Sequence, residues 1–346
     1  MTRRSALLGA SAVAAFLAVD LGAVAYANNW IDPRRLTRQS FIDLFRSMGA
    51  HFPGFRVNHA KGVVVNGYFE SNGAGTELST AAVFAPGRTP VTGRFSLGGG
   101  NPFVADAADT TRGLGLAFGF PGAEQWRTAM INLPVFPDNT PQGFHDRLIA
   151  SAPVAGTGKP DPAAMATFLA GHPETVAALA IIKKATPTTG FADSTFRALH
   201  TFQLVSPTGA RTPARWSIVP QQQALPPGPG KNSLFDALVR QVRTTPLRWL
   251  LMLTLGADDD PIDPTVPWPD TRKTIDVGTI TLTMAETERA GNARDINFDP
   301  LVLPTGIEPS DDPMLSARSS VYAASHRERA AATPAPSAVQ VDQVKP

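Results

Sequence analysis

Four short runs between residues 62 and 120 constrain this chain most. They are GVVVNGYFE (62–70), AAVFA (81–85), PVTGRFSLG (90–98) and GLGLAFGF (113–120), separated by Gly, Pro and Asn. Alternating or continuous apolar runs of this length suit strands, whose side chains point to two faces in turn. The Gly and Pro between them supply the reversals. The segment from Trp126 to Phe136 continues the pattern, FRALHTFQLVSPTGARTPARWSIVP (196–220) reads as a hairpin about a Ser-Pro-Thr-Gly turn, and TIDVGTITLTMAE (274–286) adds a strand.

Helical spacing interrupts these runs. Residues 35–48 place Leu36, Phe41, Leu44 and Phe45 on one helical face, with Thr37 as cap. Further helices are expected at 142–151, 161–170, 173–184, about 232–255 and 314–330, with an extended Pro-rich stretch at 296–313. The 32 prolines and 29 glycines argue against a helical bundle. The expectation is an α+β fold, with a large antiparallel sheet closing into a β-barrel and helices packed around it. Residues 30–331 form one domain, and the Pro-containing stretch 332–346 is expected to be a flexible tail.

The first 29 residues are of a different kind. Arg3 and Arg4 precede an apolar run that ends at Ala25-Tyr26-Ala27, the pattern of an export signal. Thr2-Arg3-Arg4 also fits, loosely, a twin-arginine signal for folded cargo. The expected location is outside the cytoplasm: periplasmic, or membrane-anchored through this N-terminal segment.

Several chemistries are excluded. The absence of cysteine rules out disulfides, thiolate metal sites and thiol catalysis. With 31 basic and 29 acidic side chains and no long basic block, nucleic acid is not an expected partner. No G-x-S-x-G elbow is present. GLGLAFG carries Phe118 where a dinucleotide loop needs its third glycine, and it reads as a strand. The six histidines (51, 59, 145, 172, 200, 326) form no metal-binding pair. From spacing alone, His59 in FRVNHAKG (55–62) is a base, a ligand or an ordinary histidine. Tyr322 is more informative, because Arg318 precedes it by four residues and Arg329 follows by seven, on one helical face. Neighbouring cations favour a phenolate, a hard ligand suited to ferric iron. An amphipathic helix with surface arginines explains the same spacing. Tyr68 in GYFE reads as a strand residue, and Trp126, Trp216, Trp249 and Trp268 as core or cofactor packing.

Taken in order, six blocks resemble the haem catalases. FRVNHAKG with VVVNGYFE is similar to the block around their distal histidine, and GRFSLGGG, RGLGLAFGF and INLPVF follow in the same sequence. HTFQLV and the arginine-to-tyrosine helix resemble the later blocks, so the resemblance covers about 53 to 330. The short length, with WRTAMINLPVFP and HPET, resembles the small exported catalase-related peroxidases. The resemblance implies haem b and its iron as cofactor. It implies catalytic roles for His59, Asn132 and Ser96, propionate contacts from Arg56, Arg94 and Arg329, and an aromatic wall at Phe136. Tyr322 would be the iron ligand, and Arg318 the cation that keeps it ionised. Asn58 stands where typical catalases carry valine, and Leu133 where they carry threonine. These departures favour reduction of hydrogen peroxide or an organic hydroperoxide, through a ferryl intermediate, by a small-molecule or protein electron donor, with low catalase activity. Alternatives in the same fold are a fatty-acid hydroperoxide isomerase or lyase, and a haem carrier or sensor. A homodimer is compatible with the resemblance.

Overall fold

The computed structural model describes residues 36–48, 52–119 and 122–345. The N-terminal signal and His51 lie outside the described residues.

Strand alternation sorts the sheet's side chains onto two faces. Strands β1 (Gly62–Ser71), β2 (Gly87–Leu97), β3 (Arg112–Phe118) and β4 (Trp126–Ile131) pair antiparallel in sequence order. Strands β5 (Phe196–Val205), β6 (Arg211–Pro220), β7 (Leu247–Leu255) and β8 (Thr274–Glu286) complete the series, with β8 pairing back onto β1. A bridge from Ile131 to Arg197 joins β4 to β5 and closes an eight-stranded barrel. A short β9 (Ile307–Pro309) adds to β5. The inward residues, among them Val63, Val65, Phe95, Leu114, Leu116, Trp126, Trp216 and Trp249, fill the barrel as one apolar cluster. Trp268 lies elsewhere, beneath the guanidinium of Arg215 at 4.6 Å. Tyr68 is a strand residue, as expected, with Arg88 stacked over it at 4.4 Å.

Six helices accompany the barrel among the described residues: α1 (Arg38–Met48), α2 (Pro141–Ala150), α3 (Pro162–Gly171), α4 (Pro173–Lys184), α5 (Ser233–Thr244) and α6 (Pro313–Ala331). Their starts follow local chemistry. Thr37 Oγ1 accepts from Ser40 N, as the expected cap does. Thr140, Asp161 and Asp312 cap α2, α3 and α6, each followed by proline in the first turn. Buried Lys61 ties the start of β1 to α5. Its ammonium donates to Val104 O, Asp106 Oδ1 and Lys231 O, while Asp106 Oδ2 accepts from Leu234 N.

Three sequence expectations are corrected. The helix expected over 232–255 is α5 followed by β7, because Pro246 ends the helix and LRWLLMLTL then alternates buried and more exposed positions. AAVFA forms a 3-10 turn at Ala82–Phe84 instead of a strand. The C-terminal stretch is packed: Val339, Val341 and Val344 join the main core, and Arg243 donates to Val341 O and Val344 O. Three buried valines outweigh the local effect of Pro334 and Pro336.

Candidate active site

The outer face of the barrel carries a line of residues that register fixes. Gly62 pairs with Ser96, Ser96 with Gly113, Gly113 with Ile131, and Ile131 with Arg197. Two residues along, the next line is Val64, Arg94, Gly115 and Ala129. Most of these residues line a cavity of about 200 Å³, closed on other sides by the loop 56–59, Phe136, α1, α2 and α6. Two of the lining residues are glycines because neighbouring rings lie directly over them. A Cβ on Gly113 would meet His59 Nδ1 at 3.0 Å, and one on Gly115 would meet the Phe298 ring at 2.6 Å.

His59 sits on the loop before β1 and lines the cavity. Ser96 Oγ lies 3.1 Å from His59 Nδ1 and 3.5 Å from Gly113 O. The carbonyl can only accept, so the hydroxyl donates to it and accepts from Nδ1–H. Nε2 is thereby left as the basic nitrogen. Burial lowers the His59 pKa to about 4, and the charges of Arg94, Arg318 and Arg56 act in the same direction. The imidazole is therefore neutral at ordinary pH.

Arg94 braces this histidine from below. Its Nη1 donates to His59 O at 2.8 Å, its Nη2 to Ala60 O, and its Nε to Glu288 Oε1 at 2.6 Å. Burial disfavours the Glu288 carboxylate, yet Arg94 and Arg56 hold its pKa below the usual value. Arg56 donates to the carbonyls of Arg294 and Ile296. Thus Arg56 and Arg94 are already engaged within the protein. Arg329 differs: both its Nη atoms are buried without a partner among the described residues. Burial, then Arg94, lowers its pKa to about 10.

Tyr322 lines the same cavity from α6. Arg318, one turn earlier, donates to its phenol oxygen at 3.3 Å and to Ala129 O at 3.1 Å, which fixes the helix against β4. Phe136 also lines the cavity, 5.6 Å from Phe144. Asn132, which the resemblance implied as catalytic, is not among the residues that line the cavity. The residue follows the last position of β4, its Oδ1 accepts from Arg112 N, and the cavity wall here is Ile131.

Sequence reasoning passed over four participants. His200 lines the cavity and lies 2.6 Å from Asp312 in a fully buried pair. Burial lowers the His200 pKa to about 4 against the opposing effect of Asp312. Arg197 and Phe298 also line the cavity, and Glu288 stands behind Arg94. Nothing local in HTFQLV paired His200 with a residue 112 positions away.

The cavity carries a phenol flanked by Arg318, and an adjoining pocket that shares Arg56 and Val57 carries Arg329, whose Nη atoms have no partner among the described residues. A metal ligand on one side and such a buried cation beside it fit an anionic metal-bearing group such as a porphyrin. A closed barrel with such a cavity on its outer face is the fold of the catalases, a family whose members generally bind haem. The catalase family model matches residues 48–225 and 255–341, and the chain belongs to the catalase family. Within it the chain sits in the small catalase-related peroxidase branch. The catalase-related peroxidase of Synechococcus elongatus is 38% identical over 287 residues, covering 80% of this chain and 84% of the relative. That of Mycolicibacterium paratuberculosis is 32% identical over 298 residues, covering 84% and 94%. Catalase A from Saccharomyces cerevisiae superposes with a TM-score of 0.72 at 22% identity, over 81% of this chain and 62% of that one. The chain therefore spans about three-fifths of that catalase, whose likeness concerns the fold.

Proposed function

We propose that the chain is a haem-dependent peroxidase that reduces hydrogen peroxide or an organic hydroperoxide at the expense of an external electron donor. The observation that carries this reading is the pairing of a neutral, Ser96-oriented His59 with an Arg318-bonded Tyr322 on one cavity. The names of the two catalase-related peroxidases support it. Tyr322 would ligate the iron of haem b, Arg329 would pair with a propionate, and Gly113, Gly115 and Phe136 would border the macrocycle. Bound haem would supply the redox chemistry of O–O cleavage.

The chain's own residues handle the protons. His59 Nε2 accepts a proton from the near oxygen of the peroxide and returns it to the departing oxygen, so that water or an alcohol leaves. Ser96 keeps Nδ1 protonated through both transfers, which preserves Nε2 as the working atom. Arg94 holds the peptide of His59 in place. The basic start, the apolar run and Ala25-Tyr26-Ala27 support export to the periplasm or anchoring there.

The test is reconstitution of the purified chain with haem. A Soret band and peroxide-dependent dye oxidation faster than peroxide disproportionation are expected. His59→Ala should keep the Soret band and lose about 10²–10⁴-fold in dye oxidation. A chain that gives no Soret band with haem supplied refutes the reading.

A further inference from the structure

We propose that Asn58 is a positioning residue for His59. Its Oδ1 accepts from both the His59 and the Gly99 N–H and locks the left-handed backbone that carries the imidazole.

His59 is the one non-glycine residue with positive φ, 54°, among the described residues. L-residues rarely hold this conformation, and they keep it where the surroundings over-determine it. Here the surroundings are specific. Asn58 Oδ1 lies 2.9 Å from His59 N and 2.8 Å from Gly99 N. Gly99, itself at φ 108°, returns a bond from its carbonyl to Ala60 N at 3.0 Å. One carboxamide oxygen thus joins the two loops that flank the histidine.

Three different residues then hold three parts of His59: Asn58 its N–H, Arg94 its carbonyl, and Ser96 its ring. A valine at 58, as the family resemblance gives for typical catalases, has no acceptor for either N–H. Asn58 borders the cavity, but its oxygen is turned to the backbone. It acts on the reaction through His59, and the activity readout below rests on the peroxidase reading.

The experiment compares Asn58→Val, Asn58→Gln and Asn58→Asp with the parent chain, each with and without haem. Amide hydrogen exchange at His59 and Gly99 is read first, since it needs no activity. Val removes the acceptor and Gln displaces it by one methylene. Both should speed exchange at these two amides about tenfold or more, the equivalent of one net hydrogen bond. With haem they should lower kcat by about 10–100-fold, with little change in the Soret band. Asp keeps the acceptor and should keep both protections. Its charge raises the His59 pKa, so the acid limb of activity should move up from about pH 4.

If Val leaves both amides protected and kcat at the parent value, the proposal is overturned. It is equally overturned if Asp loses protection to the same extent as Val. Should Val fail to fold, Gln gives the same reading. A parent chain that binds haem without oxidising dye overturns the peroxidase reading while the exchange comparison still decides the role of Asn58.

Discussion

Glu288 receives the Nε–H of Arg94 at 2.6 Å, with both side chains almost wholly buried. That same guanidinium supports the His59 carbonyl, so a carboxylate 194 residues downstream of Arg94 stabilises the loop that bears the base. Removing one member of a buried pair strands the other's charge. Glu288→Ala is expected to cost about 3–5 kcal/mol, and Glu288→Gln less, read as the shift in chemical denaturation midpoint. The Glu288 pKa is depressed in the folded chain, so its contribution is present above the unfolded carboxylate value of 4.5. It is lost as pH falls through the lower folded value. A stability profile of Glu288→Gln should therefore be flatter than the parent's on the acid side of 4.5.

The histidines set a second, higher window. His200 has its pKa lowered from 6.5 to about 4 by burial, with Asp312 opposing. Unfolded chains take up this proton below 6.5 and the folded chain resists until about 4, so stability is present above 6.5 and declines between those values. The loss from His200 alone is about 3 kcal/mol at its full extent. Circular dichroism melts of the haem-free protein from pH 7 to 4 should show the decline, and His200→Gln should reduce it. Peroxidase activity should persist below pH 6 and fall near pH 4, where His59 becomes protonated.

Arg329 stores a cost in the haem-free chain. Among the described residues its two Nη atoms find none of the hydrogen bonds that a buried cation needs. Arg329→Met is expected to raise the melting temperature of the haem-free protein while weakening haem retention, measured as transfer of haem to apomyoglobin. A stabler apoprotein with unchanged haem retention would leave Arg329 without a propionate partner.

The C-terminal stretch offers a simpler test. Val339 is fully buried and Val341 nearly so, both within the main core. Truncation after Ser337 removes Val344 as well and should lower stability by about 4–9 kcal/mol, at roughly 1.5–3 kcal/mol for each of the three buried valines. A truncated chain that melts with the parent would mean these valines contribute no net stability.

Much of the barrel was legible because strand alternation and turn residues are local signals. Within the described residues, the runs at 62–70, 90–98, 113–120, 196–220 and 274–286 supply barrel strands, the third of them over Arg112–Phe118. Where two elements met without a gap the local signal failed: Pro246 separates α5 from β7, yet both sides are apolar enough to read as one helix. The packing of Val339, Val341 and Val344 depended on a core surface and on Arg243 of α5, which no local composition reports.

The site divides along the same boundary. The sequence by itself determined the residue types and their order: His59 in its block, Ser96 and Arg94 two apart on one strand face, Arg318 and Tyr322 one helical turn apart. Each is a short-range relation, set by the period of a strand or helix. Tertiary structure decided which distant groups complete them. Sheet register brought Gly113 beneath His59, and barrel closure brought Glu288 to Arg94 and Asp312 to His200. It also decided what Asn58 does, because an oxygen's role depends on the donors within reach, and Gly99 N–H comes within reach only when β2 has turned back beside the loop.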